Sequence, residues 1–220
     1  MIVAVVDYRA CNLTSVVKAL AAAGATPRVV ERTAGLSGAS AILVPGVGHF
    51  EATRALDEDD RREIGRCVEA GVPLLGICLG MQWLFEGSDE APGQAGLGVF
   101  AGRCVRIRKK TSGIFFDEKD SRRLFLKIPH VGWNTLEPTG RPSRLLDGMP
   151  TGATAYFTHS YAAPDGDGTV ARTTHGTTFA SVVERGRVFG TQFHPEKSGA
   201  TGIEMLKRFV AIGREANVQC

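Results

Sequence analysis

Four short apolar runs, separated by stretches of helical period, occupy the first part of this chain and constrain its fold more than any other feature. They are Ile2-Val3-Ala4-Val5-Val6, Arg28-Val29-Val30, Ala41-Ile42-Leu43-Val44 and Pro73-Leu74-Leu75-Gly76-Ile77. They are too short for helices and do not alternate, so each reads as a strand covered on both faces. Between the first two, Asn12 is placed to cap a helix running to about residue 23, with Leu13, Val16, Val17 and Leu20 on one face and Gly24 as its stop. A polar helix from about residue 59 carries Ile64, Cys67 and Val68 inward and stops at Gly71. Strands alternating with helices predict an α/β fold, a mostly parallel central sheet flanked by helices. Ligands in such sheets gather beyond the carboxyl ends of the strands. Those ends carry Asp7, the loop Pro45-Gly46-Val47-Gly48, and Cys78.

The second half changes character. Residues 96–188 read as short strands broken by Gly, Pro and Asp turns, an antiparallel or mixed extension of the sheet. The stretch 103–110 alternates Arg and Lys with Val105 and Ile107, as a strand with one wet face would, and 109–123 reads as an exposed loop or hairpin. A short helix from Cys78 to Phe85 and a final one over 201–214, burying Ile203, Leu206, Phe209 and Val210, complete the plan. With no repeat and no long linker, residues 1–220 are expected to form one domain.

Composition narrows the function. A 43% hydrophobic and 22% charged chain is ordinary for a globular protein. No apolar run approaches the roughly 20 residues that span a bilayer, and the first strand lacks the basic flank of a secretory signal, so a cytoplasmic, membrane-free protein is expected. A net charge of +3 is too small to argue for nucleic acid. The five cysteines (11, 67, 78, 104 and 220) are scattered, odd in number and without a Cys-x-x-Cys pair, which speaks against a disulfide framework and against a metal site.

Only Cys78 has reactive surroundings. Gly76-Ile77-Cys78-Leu79-Gly80 has the form of a nucleophile elbow between a strand and a helix. The flanking glycines suit a strained turn that leaves no room for side chains, and a helix start favours an anionic sulfur. The Leu79 amide would point at a developing oxyanion. Such a nucleophile needs a base that later protonates the leaving amine, which means a histidine. His194-Pro195-Glu196 is the strongest candidate. In an extended segment residues two apart face the same side, and Pro195 stiffens the link, so Glu196 can hold the imidazole. A second oxyanion donor fits the glycine-rich loop at Gly46, Val47 and Gly48. Read alone, the loop is a tight turn and His-Pro-Glu a strand end; together with the elbow they converge. Of the other histidines, His159 suits a structural hydrogen bond, His49 and His175 the surface, and His130 either a loop or a satisfied polar group.

The elbow with Met81 and Gln82, the 45–48 loop, and the closing Thr191-Gln192-Phe193-His194-Pro195-Glu196-Lys197-Ser198 resemble class I glutamine amidotransferases. Three further segments narrow the resemblance to the glutaminase subunits of imidazole glycerol phosphate synthases. They are Asp7-Tyr8 with Asn12-Leu13, Pro129-His130-Val131-Gly132-Trp133-Asn134, and His159-Ser160-Tyr161. The resemblance implies a flavodoxin-like glutamine amidotransferase fold without cofactor or metal. It implies that Cys78 attacks L-glutamine to give a glutamyl thioester, with His194 as base and Glu196 as its orienter. Gln82, Leu79 and the backbone of Gly46, Val47 and Gly48 would hold substrate and oxyanion. It also implies a heterodimer with a (β/α)8-barrel cyclase that takes the ammonia for histidine synthesis, with Asn12, Trp133, Tyr161 and Lys197 near the interface. Arg9 and Cys11 stand where the family usually has glycines, and 111–123 is longer than usual. Alternatives are a paralogous glutaminase serving another synthase, and a non-enzymatic flavodoxin-like module with a sensing cysteine.

Overall fold

The computed structural model describes residues 1–31, 33–108, 115–116, 123–124 and 127–220. The first half runs β1 (Ile2–Val6), α1 (Leu13–Ala22), β2 (Thr26–Val30), β3 (Ala41–Val44), α2 (Glu58–Glu69), β4 (Leu74–Ile77) and α3 (Leu79–Trp83). The second half runs β5 (Phe85–Ser88), β6 (Ala91–Ala95), β7 (Phe100–Arg106), β8 (Phe115–Phe116), β9 (Arg123–Leu124), β10 (His130–Thr135) and β11 (Glu137–Pro138). It continues through β12 (Thr154–His159), β13 (Tyr161–Ala162), β14 (Thr169–His175), β15 (Thr177–Arg185), β16 (Val188–Thr191) and α4 (Gly199–Ala216).

The central sheet has eight strands in the order β11-β14-β15-β16-β4-β3-β1-β2. The strands from β2 to β16 are parallel, and β16, β15, β14 and β11 continue as an antiparallel extension. Every residue of β3 and β4 is buried. Alternate residues feed two apolar layers: Leu43, Leu75 and Ile77 face Val16, Leu20 and Phe209 of α1 and α4, while Ile42, Val44 and Leu74 face Ile64 and Cys67 of α2. Truncating one such leucine to alanine costs about 2–5 kcal/mol.

The mixed extension is only part of the second half. Strands β13-β7-β5-β6 form a separate four-stranded sheet, and β10 pairs with β12 as an antiparallel ribbon. Helix α3 is shorter than the pattern suggests, because Phe85 already belongs to β5. In β7 Phe100 and Cys104 are buried and Val105 faces solvent, whereas Ile107, just beyond the strand, is buried as the alternation suggests. Asn12 occupies the N-cap of α1 without a side-chain capping bond. Of the 109–123 stretch, Phe115–Phe116 pairs antiparallel with Arg123–Leu124; the rest lies outside the described residues. No helix among the described residues is long and apolar enough to cross a membrane.

Candidate active site

The site follows from one pairing. Strands β4 and β16 are parallel neighbours with Ile77 opposite Thr191, so the residues that follow them emerge at the same rim of the sheet. The Cys78 amide donates to the Thr191 carbonyl at 2.7 Å, joining the two exits. On the other flank of β4, strand β3 delivers the 45–48 loop to the same rim.

Cys78 has φ +52°, a strained value for a residue with a side chain, and the surroundings show why the turn is kept. A Cβ at Gly76 would lie 2.6 Å from the Gly80 carbonyl oxygen, and a Cβ at Gly80 would overlap the Val44 carbonyl oxygen. The elbow therefore packs backbone on backbone, and only glycine fits on either side of Cys78.

His194 is almost fully buried, and its Nδ1 lies 2.8 Å from Glu196 Oε1. Pro195 opens a 3-10 turn over Pro195–Lys197 that brings the carboxylate back beside the ring, and Ser198 Oγ donates to the His194 carbonyl at 2.6 Å. Nδ1–H is thus committed to the carboxylate. Nε2 is buried with no hydrogen bond formed among the described residues. Burial pulls the imidazole's pKa down, but the Cys78 sulfur and the Glu196 carboxylate outweigh it and raise it to about 10. The ring near the sulfur therefore holds a proton at neutral pH.

The sulfur opens onto a pocket of about 200 Å³ lined by Gly48, Leu79, Gln82, Glu90, Pro129 and the wall Thr158, His159, Ser160 and Tyr161. Gln82 Nε2 donates to the Tyr161 carbonyl at 2.8 Å and to Gln192 Oε1 at 3.2 Å, and Gln192 Nε2 lies 3.7 Å from the sulfur. Gln192 and Glu90 escape the sequence reading. A signal for Gln192 existed: it lies two residues before His194, on the same side of an extended segment. Glu90, in the turn between β5 and β6, carries no local signal. Tyr161 contributes its carbonyl to this pocket.

Two of the backbone amides expected at an oxyanion, those of Leu79 and Val47, are engaged elsewhere. The Leu79 N–H donates to the Gly46 carbonyl at 3.3 Å, and the Val47 N–H to the Ala10 carbonyl at 2.6 Å. Gly46 has no space for a side chain, since a Cβ there would meet the Tyr8 hydroxyl and Leu79.

Asn12, Trp133 and Lys197 stand apart from the pocket on exposed positions of neighbouring elements. Helix α1 packs against the Pro195–Lys197 turn, and Gly199 lies under the Trp133 ring. Trp133 is 58% and Val131 57% exposed, an apolar pair on the outer face of β10. His130 is not in a loop but buried in β10, and His175, expected at the surface, is half-buried and stacked on it with ring centroids 4.0 Å apart. His49 is exposed and caps the 3-10 helix Phe50–Ala55. No cluster of His, Cys, Asp or Glu suited to a metal occurs among the described residues.

A sheet parallel at its centre, with a cysteine on a strand-to-helix elbow, a buried His–Glu pair and a small polar pocket at one rim, defines an α/β protein with a candidate thiol site. Residues 4–212 match the class-I glutamine amidotransferase family, and the chain belongs to it. It is 42% identical to the imidazole glycerol phosphate synthase subunit HisH of Salinibacter ruber over 94% of this chain and 93% of that one. It is 44% identical to the same subunit of Deinococcus radiodurans over 94% and 92%. A crystal structure described as a glutamine amidotransferase superposes with a TM-score of 0.69 at 21% identity, covering 96% of this chain and 98% of that one, a likeness of fold.

Proposed function

We propose that this chain is the glutaminase subunit of an imidazole glycerol phosphate synthase, with residues 1–220 as a single glutamine amidotransferase domain that hydrolyses L-glutamine through Cys78. The observation that carries the reading is the convergence of sulfur, imidazole and carboxylate at one rim, beside a pocket sized for an amino acid. Glu90 is the carboxylate lining that pocket, suited to the substrate's ammonium group.

The chemistry follows from where the proton sits. The Cys78 sulfur, as thiolate, attacks the side-chain carbonyl carbon of glutamine, and the C=O electrons move onto oxygen. As this intermediate collapses, His194 gives its proton to the departing nitrogen, ammonia leaves and the glutamyl thioester remains. His194, now neutral, takes a proton from water, hydroxide adds to the thioester, and glutamate departs as the thiolate returns. Glu196 stabilises the imidazolium at both ends of the cycle.

The oxyanion requires donors that the resting backbone withholds. The Gly46 carbonyl and the Val47 N–H belong to one peptide plane. Rotating that plane frees the Leu79 N–H and swings the Val47 N–H away from Ala10 in a single motion. A slow isolated subunit, accelerated by a partner that favours the rotated peptide, is the expected behaviour. The partner we assign is a (β/α)8-barrel cyclase that receives the ammonia, docked over Trp133, Asn12 and Lys197.

The test is Cys78→Ala in the assembled complex. Glutamine-dependent product formation should fall to background while formation from added ammonia persists. Full glutamine-dependent activity would remove Cys78 from the mechanism. Co-purification with a different synthase, and not with a cyclase barrel, would reassign the partner.

A further inference from the structure

Two buried histidines next to the pocket have no role in the chemistry above. His130 and His159 pair across the β10–β12 ribbon, in an aromatic cluster with Phe157 and Phe179. Phenylalanine would fill either space without burying ring nitrogens, so the imidazoles have to be explained by what they bond.

Their bonds run in one direction. His159 Nδ1 lies 2.8 Å from the Tyr161 carbonyl, which can only accept, so Nδ1 carries the hydrogen. The neutral ring then leaves Nε2 as an acceptor, and His130 Nδ1, 3.0 Å away, must donate to it. His130 Nε2 is in turn an acceptor, filled by Asn134 Nδ2 at 3.2 Å. The amide of Asn134 is oriented by donating also to the Thr174 carbonyl and by accepting from the Thr135 N–H. The array needs both rings neutral. Burial, then the neighbouring histidines, lowers His130 to about 3; burial lowers His159 to about 4, although its bond to the Tyr161 carbonyl opposes the shift.

The chain of bonds ends on the carbonyl that anchors Gln82, and Gln82 in turn orients Gln192 against the Cys78 sulfur. We propose that His130 and His159 are a positioning relay for the glutaminase site, holding the Tyr161 carbonyl so that Gln82 and Gln192 present a fixed donor to Cys78. The proposal rests on the assignment of Cys78 as nucleophile. His159 also forms part of the pocket wall, and the relay acts on the sulfur through the backbone at Tyr161.

Two measurements test it. In ¹⁵N-histidine-labelled wild-type protein, long-range proton–nitrogen spectra should show both rings as the Nδ1–H tautomer, the minor form of free histidine, unchanged on lowering the pH from about 7.5 to about 5.5. Either ring in the Nε2–H form, or protonating in that range, overturns the relay. Second, His159→Asn keeps an N–H where Nδ1–H stood, whereas His159→Phe keeps the ring and loses the donor. In the complex with its synthase partner, kcat/KM for glutamine should fall about tenfold or more in His159→Phe and by less than about threefold in His159→Asn. Alkylation of Cys78 by iodoacetamide should follow the same order. Equal values for the two variants overturn the proposal. Glutamine hydrolysis surviving in Cys78→Ala would instead overturn the functional reading, an outcome that the tautomer spectra do not share.

Discussion

Replacing Glu196 with glutamine removes one charge from the site but keeps an oxygen within reach of the His194 ring, so it isolates the electrostatic part of the pair. The two atoms are 2.8 Å apart and the side chains are 1% and 4% exposed. At an effective dielectric constant of about 20, charges at that distance attract by about 6 kcal/mol before desolvation is subtracted. The net effect is smaller. Against burial, the imidazole rises from 6.5 to about 10, which corresponds to about 5 kcal/mol of preference for the imidazolium. The Cys78 sulfur raises it as well, and a hydrogen bond to a charged group is worth about 1.5–3 kcal/mol, so the loss expected from removing the carboxylate's charge is about 2–3 kcal/mol. If His194 must hold a proton to release ammonia, kcat/KM for glutamine should fall on the order of 30- to 150-fold in Glu196→Gln. The assay is glutamate release by the complex at saturating partner. A loss of twofold or less would refute the reasoning. Stability supplies a second check with a definite sign. Because the folded-state pKa of His194 lies above its unfolded value, its stabilisation is complete below pH 6.5 and disappears as pH rises through about 10. The stability gap between wild type and Glu196→Gln, from urea unfolding, should be widest near pH 6 and close above pH 10. A gap that widens with rising pH would be equally fatal.

Three further outcomes are expected. Gly80→Ala drives a methyl into the Val44 carbonyl and should cost about 3 kcal/mol or more by urea unfolding, while Gly65→Ala, in α2 with open space around it, should be neutral or stabilising by about 0.5–1 kcal/mol. The depressed pKa values of His130 and His159 mean that the unfolded chain takes up protons first below pH 6.5. Stability should therefore fall by up to about 2.7 kcal/mol per pH unit between 6.5 and about 4, and the slope should be about half as steep in His159→Phe. Trp133→Ala, at an exposed position, should change unfolding free energy by less than about 0.5 kcal/mol yet weaken binding of the proposed cyclase partner about 30-fold or more in calorimetric titration.

What the amino-acid order revealed and what it hid divide along physical lines. The strands β1, β3 and β4 are legible because burial on both faces demands uninterrupted apolar runs, and the elbow because backbone crowding at Gly76 and Gly80 excludes every other residue. Glu196 is legible because it lies two residues from His194. The meeting of His194 with Cys78 is a different matter. It depends on β16 pairing beside β4, across more than a hundred residues, and no local pattern encodes that neighbour. Val105 shows how short alternation misleads: Cys104 takes the inner position, and an apolar residue is left in water.

The oxyanion loop marks the deepest limit, because its state is decided by backbone and not by side-chain type. The Val47 N–H is held by the carbonyl of Ala10, and Ala10 lies between Arg9 and Cys11, the two positions where the resemblance implies glycine. Arg9 adopts φ +65°, a conformation that favours glycine, and its amide donates to Asp7 Oδ1 at 2.8 Å. Cys11 Sγ approaches the same oxygen at 3.8 Å. Asp7 thus tethers the chain on both sides of Ala10 and fixes the acceptor that keeps Val47 turned away. A side chain at position 9 narrows the conformations open to this segment, so the departure from glycine bears on how readily the Gly46–Val47 peptide rotates, not on the nucleophile itself. On the proposed assignment, chemistry and its control are carried by different strands of one sheet, with Cys78 beyond β4 and the restraint on the proposed oxyanion donors beyond β1.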